Sequence, residues 1–235
     1  HLLGALGPLQ PEGYPEPVTR DTLVQYVAQF WTAPLRSASI TEDTGAWWTH
    51  RKDFMADLLG AALQRVAGDG EAIDPANLAS ALLAALRGKH LLIYLADEGG
   101  ARAMATAGWD GALRRTEGDY IMVVDANVGY RKVNPQIAQS IDYRVDLADP
   151  ARPQATLTLR YRNQSPGAPE CIAGARYDGS YAEMMQGCYF DYVRVYVPRG
   201  SRLLALTGAD GGPDVTEEAG RTVFAAFMAL PPGGS

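Results

Sequence analysis

The spacing of apolar residues along this chain changes once, near Asp119, from the period of a helix to the period of a strand. Helices and strands bury their faces at different intervals, so this change divides the chain into two kinds of structure before any motif is considered. Upstream, Leu23, Tyr26, Val27, Phe30 and Trp31 share one helical face, with Thr19 as N-cap and Pro34 as the stop. A polar loop over 37–45 leads into a second helix over 48–66, where Phe54, Leu58, Ala61 and Ala62 recur on one side before Gly68 and Gly70. A third helix has Asp74 as N-cap, Pro75 at its first position and Gly88 just past its end, with Leu78, Leu82, Ala85 and Leu86 as the buried stripe. The apolar run 90–95 reads as a buried strand. Residues 100–107 read as a small helix before the turn Gly108-Trp109-Asp110-Gly111.

Downstream, 120–124 is a continuous apolar strand and the later segments alternate. Ile141, Tyr143, Val145 and Leu147 alternate with charged residues, and Ala155, Leu157, Leu159 and Tyr161 with threonines and arginines. Val193, Val195 and Val197 alternate with Tyr192, Arg194 and Tyr196, and further strands are expected over 203–206 and 222–230. Such alternation gives one buried and one wet face, the habit of antiparallel sheets. The expected class is α+β: a helical N-terminal half followed by a mainly antiparallel, β-sandwich-like C-terminal half. The expected division is 1–118, part of a larger domain cut at its N-terminus, and 119–235, a β domain cut at its C-terminus. An excised fragment is expected, because His1-Leu2-Leu3-Gly4 reads like the middle of a helix and Leu230-Pro231-Pro232-Gly233 like a turn awaiting a strand.

The net charge of −6 excludes a general nucleic-acid binder, which needs clustered cations to displace counterions from phosphate. No basic run exceeds Arg51-Lys52, Arg114-Arg115 or Arg131-Lys132, and no apolar stretch approaches the roughly 20 residues that span a bilayer. The chain has two cysteines, Cys171 and Cys188. A lone pair in a segment with little apolar periodicity suits a disulfide in an oxidising compartment; two reduced, unrelated thiols are the alternative. Two thiols without nearby histidine do not complete a zinc site, and neither a metal nor a cofactor is indicated.

Several blocks resemble an uncharacterised bacterial family, the domain-of-unknown-function family numbered 4012. They are Leu6-Gly7-Pro8 with 18–27; Lys89-His90-Leu91-Leu92-Ile93-Tyr94 with Gly108-Trp109-Asp110-Gly111; 119–129 with Lys132; and 192–201 with Gly220-Arg221-Thr222-Val223-Phe224. The resemblance implies a secreted or surface protein, tethered by an N-terminal membrane anchor outside this fragment, and it implies no reaction. A weaker resemblance is to the LytR-type enzymes that transfer glycopolymers from polyprenyl pyrophosphate to the cell wall. It rests on the Leu-Gly-Pro turn and a helix opening at His50-Arg51-Lys52-Asp53-Phe54; where those enzymes carry an Arg-Gln pair, this chain has His50 and Arg51.

The candidate ligand-binding residues are Trp47, Trp48, His50, Arg51 and Lys52. Two indoles beside a histidine and two cations at a helix start would suit a sugar face and a phosphate. Cations at that end oppose the helix dipole, which hints at a purpose. Tyr177, Tyr181 and Tyr189 make the cysteine loop a candidate contact surface for an envelope glycan or another envelope protein. Asp125-Ala126-Asn127 reads as turn chemistry rather than an acid–base site. The leading expectation is an extracytoplasmic envelope module that binds or scaffolds; the alternative is a divergent glycopolymer phosphotransferase fragment.

Overall fold

The computed structural model describes residues 2–68, 73–167, 170–172 and 180–235. The chain divides between Arg114 and Arg115 into two compact units. Helices build the first and antiparallel sheets dominate the second, so the class is α+β as expected.

The helical unit opens with α1 (Leu2–Leu6), after which Leu9 and Val18 exchange backbone hydrogen bonds of 3.0 and 2.6 Å. In α2 (Leu23–Thr32) the buried residues are Tyr26, Phe30 and Trp31, from the expected face. Thr22 rather than Thr19 occupies the cap position, and each of these hydroxyls accepts the other residue's backbone N–H.

The helix expected over 48–66 is two helices, α3 (Thr44–His50) and α4 (Asp53–Ala67). The first starts early because the Asp43 carboxylate accepts the N–H groups of Gly45 and Ala46. Two aromatic anchors then need different partners. The indole N–H of fully buried Trp47 donates to the Trp31 carbonyl at 2.5 Å, while Phe54 stands edge-on to Tyr26. Lys52, at φ −119° and ψ 2°, leaves helical geometry between them. Beyond the break, Leu58, Ala61 and Ala62 of α4 pack on Leu6 and Leu9.

In α5 (Pro75–Arg87) Asp74 caps as expected, accepting the Ala76 N–H at 2.9 Å. Gly88 follows, but for a reason other than handedness: its φ is −77°, and a Cβ there would sit 2.9 Å from the His90 ring. Residues 90–95 do not form the expected strand. Leu92 and Tyr94 are 52% and 89% exposed, and the run's backbone link to the turn is Ile93 N–H to the Trp109 carbonyl. A six-residue apolar run has strand propensity, but without a neighbouring strand it has no ladder to join. The small helix is α6 (Glu98–Ala107), closed by Gly108 in the left-handed region.

In the second unit, β1 (Met122–Asn127), β4 (Tyr189–Val197), β5 (Asp210–Glu218) and β6 (Arg221–Leu230) form a four-stranded antiparallel sheet in the order β1-β4-β6-β5. β2 (Ile137–Asp146) and β3 (Gln154–Asn163) pair as a separate hairpin. Ile137, Leu159 and Tyr161 of that hairpin pack with Tyr189, Val193, Met228 and Leu230 of the sheet around Val133, so the sandwich-like layering is a hairpin laid on one face. The distal half of the hairpin breaks the alternation rule, with Ile141, Val145 and Leu147 at 50%, 43% and 63% exposed. No strand forms over 203–206. β5 forms instead from a polar segment, Asp-Gly-Gly-Pro-Asp-Val-Thr-Glu-Glu. Tyrosine hydroxyls of β4 hold it: Tyr192 donates to Asp214 at 2.7 Å and Tyr196 to Glu218 at 2.6 Å. Its proline and a register shift between Asp210 and Asp214 suit a sheet edge.

Asn163 shows how a buried polar group is made tolerable here. Its amide N–H groups donate to the carbonyls of Gly187 and Leu230, and its oxygen accepts from the N–H and hydroxyl of Ser165. Asn163→Ala is expected to cost about 2 kcal/mol, because two buried carbonyls and the Ser165 donors lose their partner. Urea unfolding of the two proteins checks this, and a loss below about 0.5 kcal/mol would show that water replaces the amide.

Candidate functional site

Four groups of residues compete for a functional role. The first is the Trp47–Lys52 segment. Because α3 ends at His50 and α4 begins at Asp53, the cations sit at the junction of two helices, with Arg51 the C-cap of α3 and Lys52 the N-cap of α4. The dipole argument therefore holds for Lys52 alone, at the start of α4; for His50 and Arg51, at the end of α3, positive charge is favoured. The intended ligand groups are also engaged internally. Trp47 is fully buried. The Arg51 guanidinium lies 3.7 Å from the Trp48 ring centroid and donates to the Trp48 carbonyl, and His50 Nδ1 meets the Asp53 carboxylate at 2.8 Å. Trp48 and Lys52 remain exposed. The structure thus brings the five residues together but turns Trp47 into core and covers one indole with Arg51.

The second group is the cysteine loop. Cys171 and Cys188 are joined, with sulfurs 2.01 Å apart, and this disulfide points to an oxidising, extracytoplasmic environment. Tyr189 corrects the expected contact surface. It follows Cys188 as the first residue of β4, faces the core and is 2% exposed, because inward parity in the strand overrides its place beside the loop. Tyr181 is partly exposed at the start of α7 (Tyr181–Met184), which Ser180 and Glu183 close as a capping box. Tyr177 lies outside the described residues.

The third group escaped the reading of the sequence. Opposite its buried face, α4 carries Met55, Leu59, Leu63 and Val66 at 57%, 60%, 60% and 50% exposed. Spacings of four, four and three place them along one side. Ala56, Gly60 and Ala67 flank them, so the apolar surface of α4 extends well beyond its buried face and is interrupted by Asp53, Asp57, Gln64 and Arg65. The signal lies in the same 53–67 segment, on the side of the helix away from the Phe54 row.

The fourth group is a pair of carboxylates beneath the hairpin. Asp125 was read as turn chemistry, yet it lies within β1; Asn127 does that work, its oxygen accepting the Gly129 N–H at 2.9 Å. Asp125 accepts the Tyr161 hydroxyl at 2.6 Å and the Gln139 amide at 2.8 Å, both from the hairpin. Asp119 accepts the hydroxyl of Tyr143 at 2.7 Å; burial, then this bond, pushes Tyr143 up to about 12. On the neighbouring strand, diagonal to Asp125 on the same face, lies Asp191. It is fully buried, and neither of its oxygens has a partner at hydrogen-bonding geometry among the described residues, although Tyr189, Asp125 and the Ala126 amide adjoin it. Burial first, and then the Asp125 charge, push its carboxyl up to about 6. Asp191 shares strand parity with Val193 and Val195, which was the available signal that it points inward.

Among the described residues, no three of His, Cys, Asp and Glu gather where they could hold a metal ion, and no helix is long and apolar enough to cross a membrane. Comparison with protein-family models, curated proteins and solved structures found no match to this chain.

Proposed function

We propose that this chain is an extracytoplasmic bacterial envelope module that binds another protein, through the outer face of α4. One observation carries the reading: the contiguous apolar row of Met55, Leu59, Leu63 and Val66. Water-soluble proteins rarely leave such a row uncovered unless it is a contact surface. The row is about 16 Å long, from eleven helical steps of 1.5 Å. It is aliphatic, without the aromatic platform or polar groups a sugar requires, and the small residues beside it let a second helix approach closely. These features favour the apolar face of a partner helix over an envelope glycan. The disulfide and the family resemblance support the compartment.

The test uses a designed amphipathic peptide of leucine and alanine on one face, titrated into the intact chain by fluorescence anisotropy. Binding is expected, and Leu59→Glu with Leu63→Glu should weaken it at least tenfold, since burying either carboxylate in the contact is costly. Both positions are exposed, so thermal unfolding should shift little. Equal peptide binding by both proteins, or none by either, would remove α4 as the docking face. Peptidoglycan fragments bound equally by both proteins, with the peptide unbound, would return the glycan reading.

A further inference from the structure

We propose that Asp125 and Asp191 share one proton and that its loss loosens the β2–β3 hairpin from the sheet, so that the hairpin is a latch that opens as pH rises. A fully buried carboxylate whose two oxygens find no partner at hydrogen-bonding geometry among the described residues is costly as an anion beside a second carboxylate. A proton on Asp191 removes the charge and creates an O–H donor, and Asp125 is the acceptor beside it. A bound cation would remove the charge too, but the surroundings argue against one. Tyr161 and Gln139 direct donors at Asp125, and no third carboxylate joins the pair among the described residues.

The groups facing Asp191 offset its negative charge only in part: the Tyr189 hydroxyl and the Ala126 amide favour the anion, but by less than burial and the Asp125 charge oppose it. β1 supplies Asp125, β3 supplies Tyr161, and β4 itself supplies Tyr189; both tyrosines are driven above their ordinary range by burial. β2 contributes Gln139 and β6 contributes Met228, neither of which titrates. The coupling to the hairpin is direct. The carboxylate that would share the proton is the one gripped by Tyr161 and Gln139, and the Ile137, Leu159 and Tyr161 seam lies on the face that holds Asp191. Lifting the hairpin lets water reach Asp191. In the distal half Ile141 and Val145 are exposed, so beyond the Tyr143–Asp119 hydrogen bond little apolar contact there opposes opening.

The direction follows from linkage. The closed state holds the proton up to about pH 6, whereas an opened, hydrated Asp191 releases it near 3.8. Closure is therefore strongest below pH 4, weakens as pH rises through 6, and is constant above that. Between pH 5 and pH 7.5 the opening equilibrium should rise about tenfold.

Amide hydrogen exchange of the intact chain, corrected for intrinsic rates, reads this equilibrium over 137–146 and 154–163. Protection there should fall about tenfold over that interval while protection in α4 and α5 holds, and Asp191→Asn should make the hairpin's protection independent of pH. Flat protection in the unaltered chain overturns the latch, as does an Asp191→Asn protein that keeps the pH dependence. Restoration of protection at pH 7.5 by 1 mM Ca²⁺ or Mg²⁺, on the order of a weak extracellular site, would assign the site to a cation and overturn the shared proton. Should Asp191→Asn not fold, the ¹³C carboxyl resonance of Asp191 in the unaltered chain decides: a midpoint near 6 supports the latch and one near 4 rejects it.

Discussion

Trp47→Ala is expected to destabilise the helical unit by about 4 kcal/mol, whereas Trp48→Ala should cost within about 1 kcal/mol. The two indoles are adjacent in sequence and opposite in role. Trp47 is fully buried, stands edge-on to Trp31 with centroids 4.8 Å apart, and donates to the Trp31 carbonyl. Its loss leaves a cavity the size of an indole and a buried carbonyl without its donor. Trp48 is 48% exposed and carries Arg51 over its ring, so truncation removes some area and one cation–π contact. Guanidinium unfolding followed by far-ultraviolet circular dichroism separates the two. Comparable losses for both would show that Trp47 is not the anchor around which α3 and α4 part.

Reduction of the Cys171–Cys188 bond, or Cys171→Ser with Cys188→Ser, is expected to remove about 3 kcal/mol from the sheet unit, by freeing a loop closed across 17 positions. The effect should fall on that unit, because Cys188 directly precedes β4, the strand that pairs with both β1 and β6. Asn163 and Ser165 also bond the Gly187 carbonyl one residue earlier, so the bond and the buried amide restrain the same point. Calorimetry with and without reductant is the measurement. An unchanged transition in the reduced protein would mean that the amide network alone holds the start of β4. The bond itself, whatever its magnitude, points to an oxidising compartment.

Asp191 is legible in the sequence by strand parity alone. Its parity with Val193 and Val195 places it on the inward face of an alternating strand, but a carboxylate there contradicts the polar-out rule and invites dismissal. Its neighbour Asp125 comes from a strand 66 positions earlier, and no local pattern specifies that register. The apolar row on α4 was equally available, since four residues at helical spacing need no tertiary information. By contrast, the break at Arg51–Lys52 could not be read locally. It arises because Trp47 and Phe54 are claimed by Trp31 and Tyr26 of α2, and neither claim is visible within 44–67.

By itself, then, the sequence determined the features that rest on near neighbours. The change of period near Asp119 separated helices from strands, Asp74-Pro75 started α5, and the lone cysteine pair left one possible disulfide, which the structure contains. Propensity, capping and loop closure act over a few residues, so they are legible one segment at a time. Only the tertiary structure decided that 90–95 has no strand to join, that the polar segment 210–218 does, and that the hairpin lies over a buried carboxylate. Each of these depends on which distant segment supplies the partner, and a backbone edge or a buried charge acquires its energy only when that partner arrives.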